Sequence, residues 1–228
     1  ASIFVNPMQF SGSEDLDAYP RTQEADLAKL EAAGTAAVFT PTTTDIYPEG
    51  VSQHTAVDVP GLTDVLCGAS RPGHFRGVTT VVSKLLGIVR PHVAAFGAKD
   101  LQQVLVIKKM VRDLSINTEI EVVPTVRESD GLAMSSRNGY LSHDERALAP
   151  LFSRTLEETA KLVAESGSDI ETVIAEGKAI LSNAGFVVDY LEARHTYDLS
   201  EASSLNEETA IFGAAFLGTT RLIDNRIV

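Results

Sequence analysis

Apolar and polar positions in the first half of the chain fall into short blocks that switch between two periods. Ser2–Val5, Ala36–Phe39, His92–Phe96 and Glu119–Val123 are short, largely apolar runs, most of them ended by a proline or glycine turn, as strands are. Thr55–Val59 reads as a further strand. Between them, Gln23–Ala33, Val78–Val89 and Leu101–Leu114 carry apolar residues at helical spacing. Thr22 precedes the first of these helices, Glu24 and Asp26 lie in its first turn, and Gly34 follows its end. Strands alternating with helices predict a parallel sheet covered on both faces.

The rhythm changes after Pro124. Ser142-His143-Asp144-Glu145 is a capping-box pattern opening a long helix with Pro150 near its start. Asp169–Asn183 predicts a second helix, closed by Gly185, and Val187–Ala193, Ala210–Leu217 and Arg221–Ile227 predict three strands. The chain therefore divides into an α/β domain over 1–123 and a smaller α+β domain over 124–228. There are no internal repeats and no low-complexity tract.

Composition narrows the function. The 228 residues are 44% hydrophobic, enough for a real core, and no run approaches the ~20 apolar residues of a membrane helix. The single Cys67 excludes an intramolecular disulfide framework and suggests a reducing compartment. Net charge is −12, with ten Lys and Arg against fourteen Asp and Glu up to Val123, and nine against seventeen from Pro124 on. That balance argues against bulk nucleic-acid binding. An anionic substrate must then be met by local cations.

Ligands of open α/β sheets sit beyond the carboxyl ends of the strands, and three polar loops occupy such places. One is Asn6-Pro7-Met8-Gln9. In "GAKDLQQ", Gly97 to Gln103, Gly97 permits close approach, Lys99 is a compact charge suited to phosphate, and the following helix directs free N–H groups to the same place. Asp100 suits ribose hydroxyls, but from this stretch alone the structural reading comes first: Asp100 and Gln103 have the spacing of a helix cap, which leaves Lys99 as a solvated neighbour. In "AMSSRN", Ser135, Ser136 and Arg137 can wrap a polyphosphate, or form an ordinary polar turn. Arg71, His74 and Arg76 in "GASRPGHFRGV" concentrate positive charge in an acidic chain and could face an anion, and His74 reads as structural sooner than catalytic. Glu207-Glu208 and Lys108-Lys109 read as solvated faces.

Six stretches, "SIFVNPMQF", "DLDAYPRT", "RPGHFRGV", "GAKDLQQ", "DGLAMSSRNGYLS" and "TTRLIDN", follow one another in the order and spacing of the pantothenate synthetase (pantoate–β-alanine ligase) family, which the chain resembles from Ala1 to about Asn225. The resemblance implies a Rossmann-like sheet of the nucleotidylyltransferase and class I synthetase superfamily. It implies an adenylate-forming ligase that joins pantoate to β-alanine, uses ATP with Mg²⁺ carried on it, and works as a cytoplasmic homodimer. By residue, Gln9 and Gln103 match the glutamines that hold pantoate, with Gln9 also near β-alanine. Gly97, Ala98, Lys99 and Asp100 match an ATP-binding stretch, and Val126 matches a contact on the adenine side. Met134, Ser135, Ser136 and Arg137 match the mobile loop equivalent to the KMSKS motif. Lys99, Ser135, Ser136 and Arg137 are thus the expected catalytic groups, and no protein-held metal is expected. Ala98 and Leu101 depart from the charged and aromatic residues common at those positions.

The family also has an earlier strand, an HxGH loop and a helix before the stretch matching Ser2. The chain is expected to lack that unit, Ala1 being no natural start, and His54, His74, His92, His143 and His195 do not replace its histidines. Two other readings accompany the ligase: a nucleotidylyltransferase of the same superfamily, and a chain that folds and dimerises without catalysis.

Overall fold

Helices, a short parallel ladder and an antiparallel sheet succeed one another in a computed structural model, which describes residues 1–10, 16, 22–166, 169–203 and 208–228. Helix α1 spans Gln23–Ala32, α2 Thr43–Ile46, α3 Cys67–Ser70 and α4 His74–Val89. Strand β1, Val93–Gly97, leads through a 3-10 turn at Ala98–Asp100 into α5, Leu101–Asp113, and then β2, Glu119–Val123. The second half holds α6, His143–Leu148; α7, Pro150–Ser166; α8, Ile170–Asn183; β3, Val187–His195; β4, Thr209–Leu217; and β5, Thr220–Ile227. Most of "DLDAYPRT", and Glu207, lie outside the described residues.

β1 and β2 pair in parallel from Val93 opposite Glu119 to Gly97 opposite Val123, with α5 as their crossover. The expected strands at Ser2–Val5 and Ala36–Phe39 reduce to one parallel bridge, Ser2 with Phe39. Phe39 N donates to Ala1 O at 2.8 Å and Ile3 N donates to Phe39 O at 2.9 Å. The next donor in that ladder belongs to Pro41, which has no N–H, so pairing stops. Thr55–Val59 forms no strand either. Val57 N donates to the Thr80 hydroxyl at 3.0 Å and Val57 O accepts from the Thr79 hydroxyl at 2.6 Å, so α4 takes the backbone groups a sheet would use.

α4 starts at His74, a turn before the expected Val78, because Gly73 (φ 83°) supplies the left-handed turn that launches it. The capping box forms as expected, Ser142 with Glu145, but the helix it opens is two helices. Pro150 lacks the N–H to continue α6 and instead opens α7. Asp169 caps α8 by accepting from Thr172 N, and Gly185 (φ 95°) follows its end.

β3, β4 and β5 form an antiparallel sheet in that order. β4 is buried at every residue but Phe216, because both faces of the sheet are covered. On one face Leu191, Ile211, Ala215 and Leu222 pack with Phe152 and Leu156 of α7 and Leu181 of α8. On the other, Tyr190, Phe212 and Ala214 join the core of the first half, with Phe75 and Val78 of α4 and Ile107 and Met110 of α5. That shared core holds the two halves of the chain against each other around a cleft.

Candidate functional site

The cleft has a volume of about 1040 Å³ and four walls, drawn from segments far apart in sequence. The first wall is the turn after Val5. Asn6 is buried and uses its whole amide: Oδ1 accepts from Met8 N at 3.2 Å and from the Tyr47 hydroxyl at 2.8 Å. Its Nδ2 donates to Gly77 O at 3.0 Å and to Gln9 Oε1 at 3.2 Å, which fixes the side chain that enters the cleft. Gly77 of α4 must be glycine for this: a Cβ there would stand 2.5 Å from the carbonyl carbon of Met8. His74 approaches Gln9 O through Nδ1 at 2.9 Å, and Arg71 reaches its Nε2 at 3.1 Å. The tautomer that satisfies both contacts carries its proton on Nδ1.

The second wall follows β1. Asp100 is the residue before α5, yet its side chain makes no cap hydrogen bond, so the helix-cap reading of "GAKDLQQ" does not hold. Its carboxylate instead faces the cleft beside Lys99, 3.8 Å from Nζ. The Lys99 side chain is only 19% exposed, so it is not a solvated neighbour. The two glutamines part ways on α5. Gln102 is buried and structural, with Oε1 accepting from Cys67 N at 3.1 Å and Nε2 donating to Leu62 O and Val65 O. Gln103, one residue on and about 100° around the helix, lines the cleft.

The third wall is the loop into the 3-10 turn Ser136–Tyr140. Ser135 Oγ accepts from Arg137 N at 3.2 Å, and Asn138 Nδ2 donates back to Ala133 O at 3.1 Å. This folding presents Met134, Ser135, Ser136 and Arg137 to the cleft, with Met134 half exposed. Gly97, Ala98 and Val126 are not among its lining residues, and Val126 is 62% exposed. Arg76 is exposed and also lies outside the lining, whereas Arg71 and His74 belong to it.

The fourth wall carries groups that sequence reasoning missed. Arg221, at the start of β5, donates to Asp189 Oδ2 from Nη2 at 2.6 Å and from Nε at 3.1 Å. Ser70 Oγ donates to the other oxygen of Asp189 at 2.9 Å. Behind them the Tyr190 hydroxyl lies 3.0 Å from Cys67 Sγ, and burial pushes its pKa well above the ordinary value. Arg221 lay within a stretch that carried the resemblance, but nothing around Asp189 marks it as a partner. Lys99, Arg71, Arg137 and Arg221 thus bring positive charge to one cavity of an acidic chain, alongside two neutral amides, Gln9 and Gln103.

The family model for pantoate-beta-alanine ligase matches residues 1–227. The chain belongs to the pantoate-beta-alanine ligase family. It is 58% identical over 224 residues to the pantothenate synthetase of Shewanella sp. (strain ANA-3), covering 98% of this chain and 79% of that one. Among solved structures it is similar to pantothenate synthetase from Thermus thermophilus, with a TM-score of 0.94 and 43% identity over 99% of this chain and 82% of the other. A second match is pantoate-beta-alanine ligase from Francisella tularensis complexed with beta-gamma ATP and beta-alanine. There the TM-score is 0.80 and the identity 35%, over 99% of this chain and 77% of that one. The family is one of enzymes, and the match bears out the α/β fold with its antiparallel C-terminal sheet. Among the described residues no helix is long and apolar enough to cross a membrane.

Proposed function

We propose that the cleft is where ATP, pantoate and β-alanine meet, and that it forms pantothenate in two steps. A pantoate carboxylate oxygen attacks the α-phosphorus of ATP and the bond to pyrophosphate breaks, giving pantoyl-adenylate. The β-alanine amine then attacks the acyl carbon, the bond to AMP breaks, and the amine proton passes to solvent. In this reading Gln9 and Gln103 hold pantoate through neutral amides, which orient an anion without trapping it as an ion pair. Lys99 neutralises the phosphates, and Ser135, Ser136 and Arg137 close on the departing pyrophosphate. Asp100 and Met134, which line the cleft, are assigned to the nucleotide directly, and Gly97, Ala98 and Val126, outside its lining, to the segments that carry those contacts. Mg²⁺ belongs to the substrate, chelated by the triphosphate. No protein nucleophile is needed, because both steps join groups already reactive once they are placed and their charges offset.

The observation that carries the proposal is that Gln9, Lys99, Gln103 and the Met134–Arg137 loop, from three separate segments, face one cavity. The same reading assigns 1–123 to nucleotide and pantoate binding and 124–228 to the closing loop, in a cytoplasmic homodimer. Lys99→Ala tests it: pantoyl-adenylate formation should fall about 10²-fold or more, as when a preorganised charge is removed, while thermal stability changes little. Adenylate formation at the parent rate would refute the role of Lys99. AMP transferred to an acceptor and not released on adding β-alanine would instead favour a nucleotidylyltransferase.

A further inference from the structure

β5 passes between two of the loops assigned to ATP, and successive residues of a strand point to opposite faces. Asp224 faces α7 and its side chain is fully buried. Arg127 grips it with a bidentate fork, Nη1 to Oδ2 at 2.8 Å and Nη2 to Oδ1 at 3.0 Å. Ser153 Oγ donates to Oδ2 at 2.8 Å, Arg226 Nη1 reaches both oxygens at 3.2 Å, and Asn225 N donates to Oδ1 at 2.9 Å. The same Arg127 Nη1 donates to Gly131 O at 3.1 Å, and its backbone bridges Ala133. Those contacts hold the hairpin that runs directly into Met134–Arg137, whose first N–H bonds Val126 O at 3.0 Å.

Asn225 points the other way. Its Nδ2 donates to Ala98 O at 2.8 Å and to Lys99 O at 3.0 Å, two carbonyls of the turn that aims the Lys99 ammonium. One strand step therefore ties both loops to a single buried carboxylate. Resting on the reading of the cleft above, we propose that Asp224, with Asn225, is a positioning residue that sets the spacing between Lys99 and Ser135–Arg137 and so the fit to the triphosphate. Asp224 touches no substrate. It acts through Arg127 on one loop and through Asn225 on the other. The β1–β2 ladder ends at Gly97 opposite Val123, and beyond that pair the spacing of the cations rests on these side-chain bonds.

Hydrogen exchange by mass spectrometry on parent, Asp224→Asn and Asn225→Asp chains tests the tie without requiring turnover. In Asp224→Asn, amides of both the 97–103 and the 126–138 segments should exchange about tenfold faster, as for loops released to local opening, while β4 keeps parent protection. In Asn225→Asp, a carboxylate faces two carbonyls, and only the 97–103 segment should speed. Exchange that quickens equally in β4, or in neither loop, overturns the proposal. If Asp224→Asn does not fold, Asn225→Asp decides: parent exchange at 97–103 refutes it. In ATP–pyrophosphate exchange with pantoate, both variants should raise KM for ATP about tenfold, a fraction of what a ~1 Å misplacement can cost, with KM for pantoate within twofold. An unchanged KM for ATP refutes the functional part. A parent chain that fails to catalyse this exchange refutes the reading of the cleft and leaves the tie to the amide-exchange result.

Discussion

Gly77→Ala isolates how α4 holds the Gln9 turn. The added methyl would lie 2.5 Å from the carbonyl carbon and oxygen of Met8 and 2.6 Å from Gln9 N, where ordinary contact begins at 3.4 Å. The obstacle is backbone, so the turn and the helix must part by about 0.9 Å, a contact-distance estimate that no rotamer change can relieve. The bond from Asn6 Nδ2 to Gly77 O, now 3.0 Å, then stretches past hydrogen-bonding range. Alanine regains about 1 kcal/mol of helix propensity. Against that stand about 1–3 kcal/mol of overpacking and about 1 kcal/mol for the lost bond. Net destabilisation of roughly 1–3 kcal/mol lowers Tm by about 2–12 °C for a chain of this size. The effect on turnover should be larger, because a ~1 Å displacement of a positioning group can cost about 10²-fold. Thermal melts give the first number. Pantothenate formation with saturating ATP and varied pantoate, at a temperature where the variant is folded, gives the second. A Gly77→Ala chain with the parent kcat/KM for pantoate and an unchanged Tm would refute the claim that this contact sets Gln9.

The two glutamines of α5 should separate cleanly. Gln102→Ala abandons one backbone N–H and two carbonyls of the loop into α3 and should cost roughly 3 kcal/mol in thermal unfolding. Gln103→Ala should stay within about 0.5 kcal/mol of the parent yet raise KM for pantoate. Burial pushes the Tyr47 hydroxyl up to about 12. The unfolded tyrosine loses its proton near pH ~10 while the native one keeps it, so the native state binds more protons above that pH and stability falls. Tyr47 should account for about 2–3 kcal/mol of the fall between pH ~10 and ~12 in denaturant titrations, and Tyr47→Phe should remove that share and leave the one due to buried Tyr190. Ser142→Ala removes the capping hydroxyl of α6 and should cost about 1 kcal/mol by the same titration at neutral pH.

Elements whose signal is local were legible in the chain. Glu119–Val123, the body of α5 and α8, and the three C-terminal strands follow from period, cap and breaker residues. The Ser142 box forms because its donors and acceptors lie within four residues. Where a distant group competes for the backbone, or the partner strand lacks a donor, the local reading failed. Thr79 and Thr80 claim Val57, and Pro41 withholds the donor that would extend the ladder from Ser2. Neither competitor sits in the stretch whose fate it decides.

The sequence by itself determined the family, through six motifs in register, and with it Gln9, Lys99, Asp100, Gln103 and Ser135–Arg137 of the cleft lining, but not Ser70, Asp189 or Arg221. It also determined that cations must be gathered locally, because the chain is acidic throughout. Only the tertiary structure decided how those residues are held. Asn6 spends its amide on Gly77 and Tyr47 to aim Gln9, and Asp189 of β3 meets Arg221 of β5 across the intervening β4. Asp224 and Asn225 are adjacent in sequence yet serve opposite faces of β5. Each of these bonds joins residues 30 or more positions apart, at distances set by how the sheet packs between the two halves of the core. Spacing along a chain carries no record of such distances.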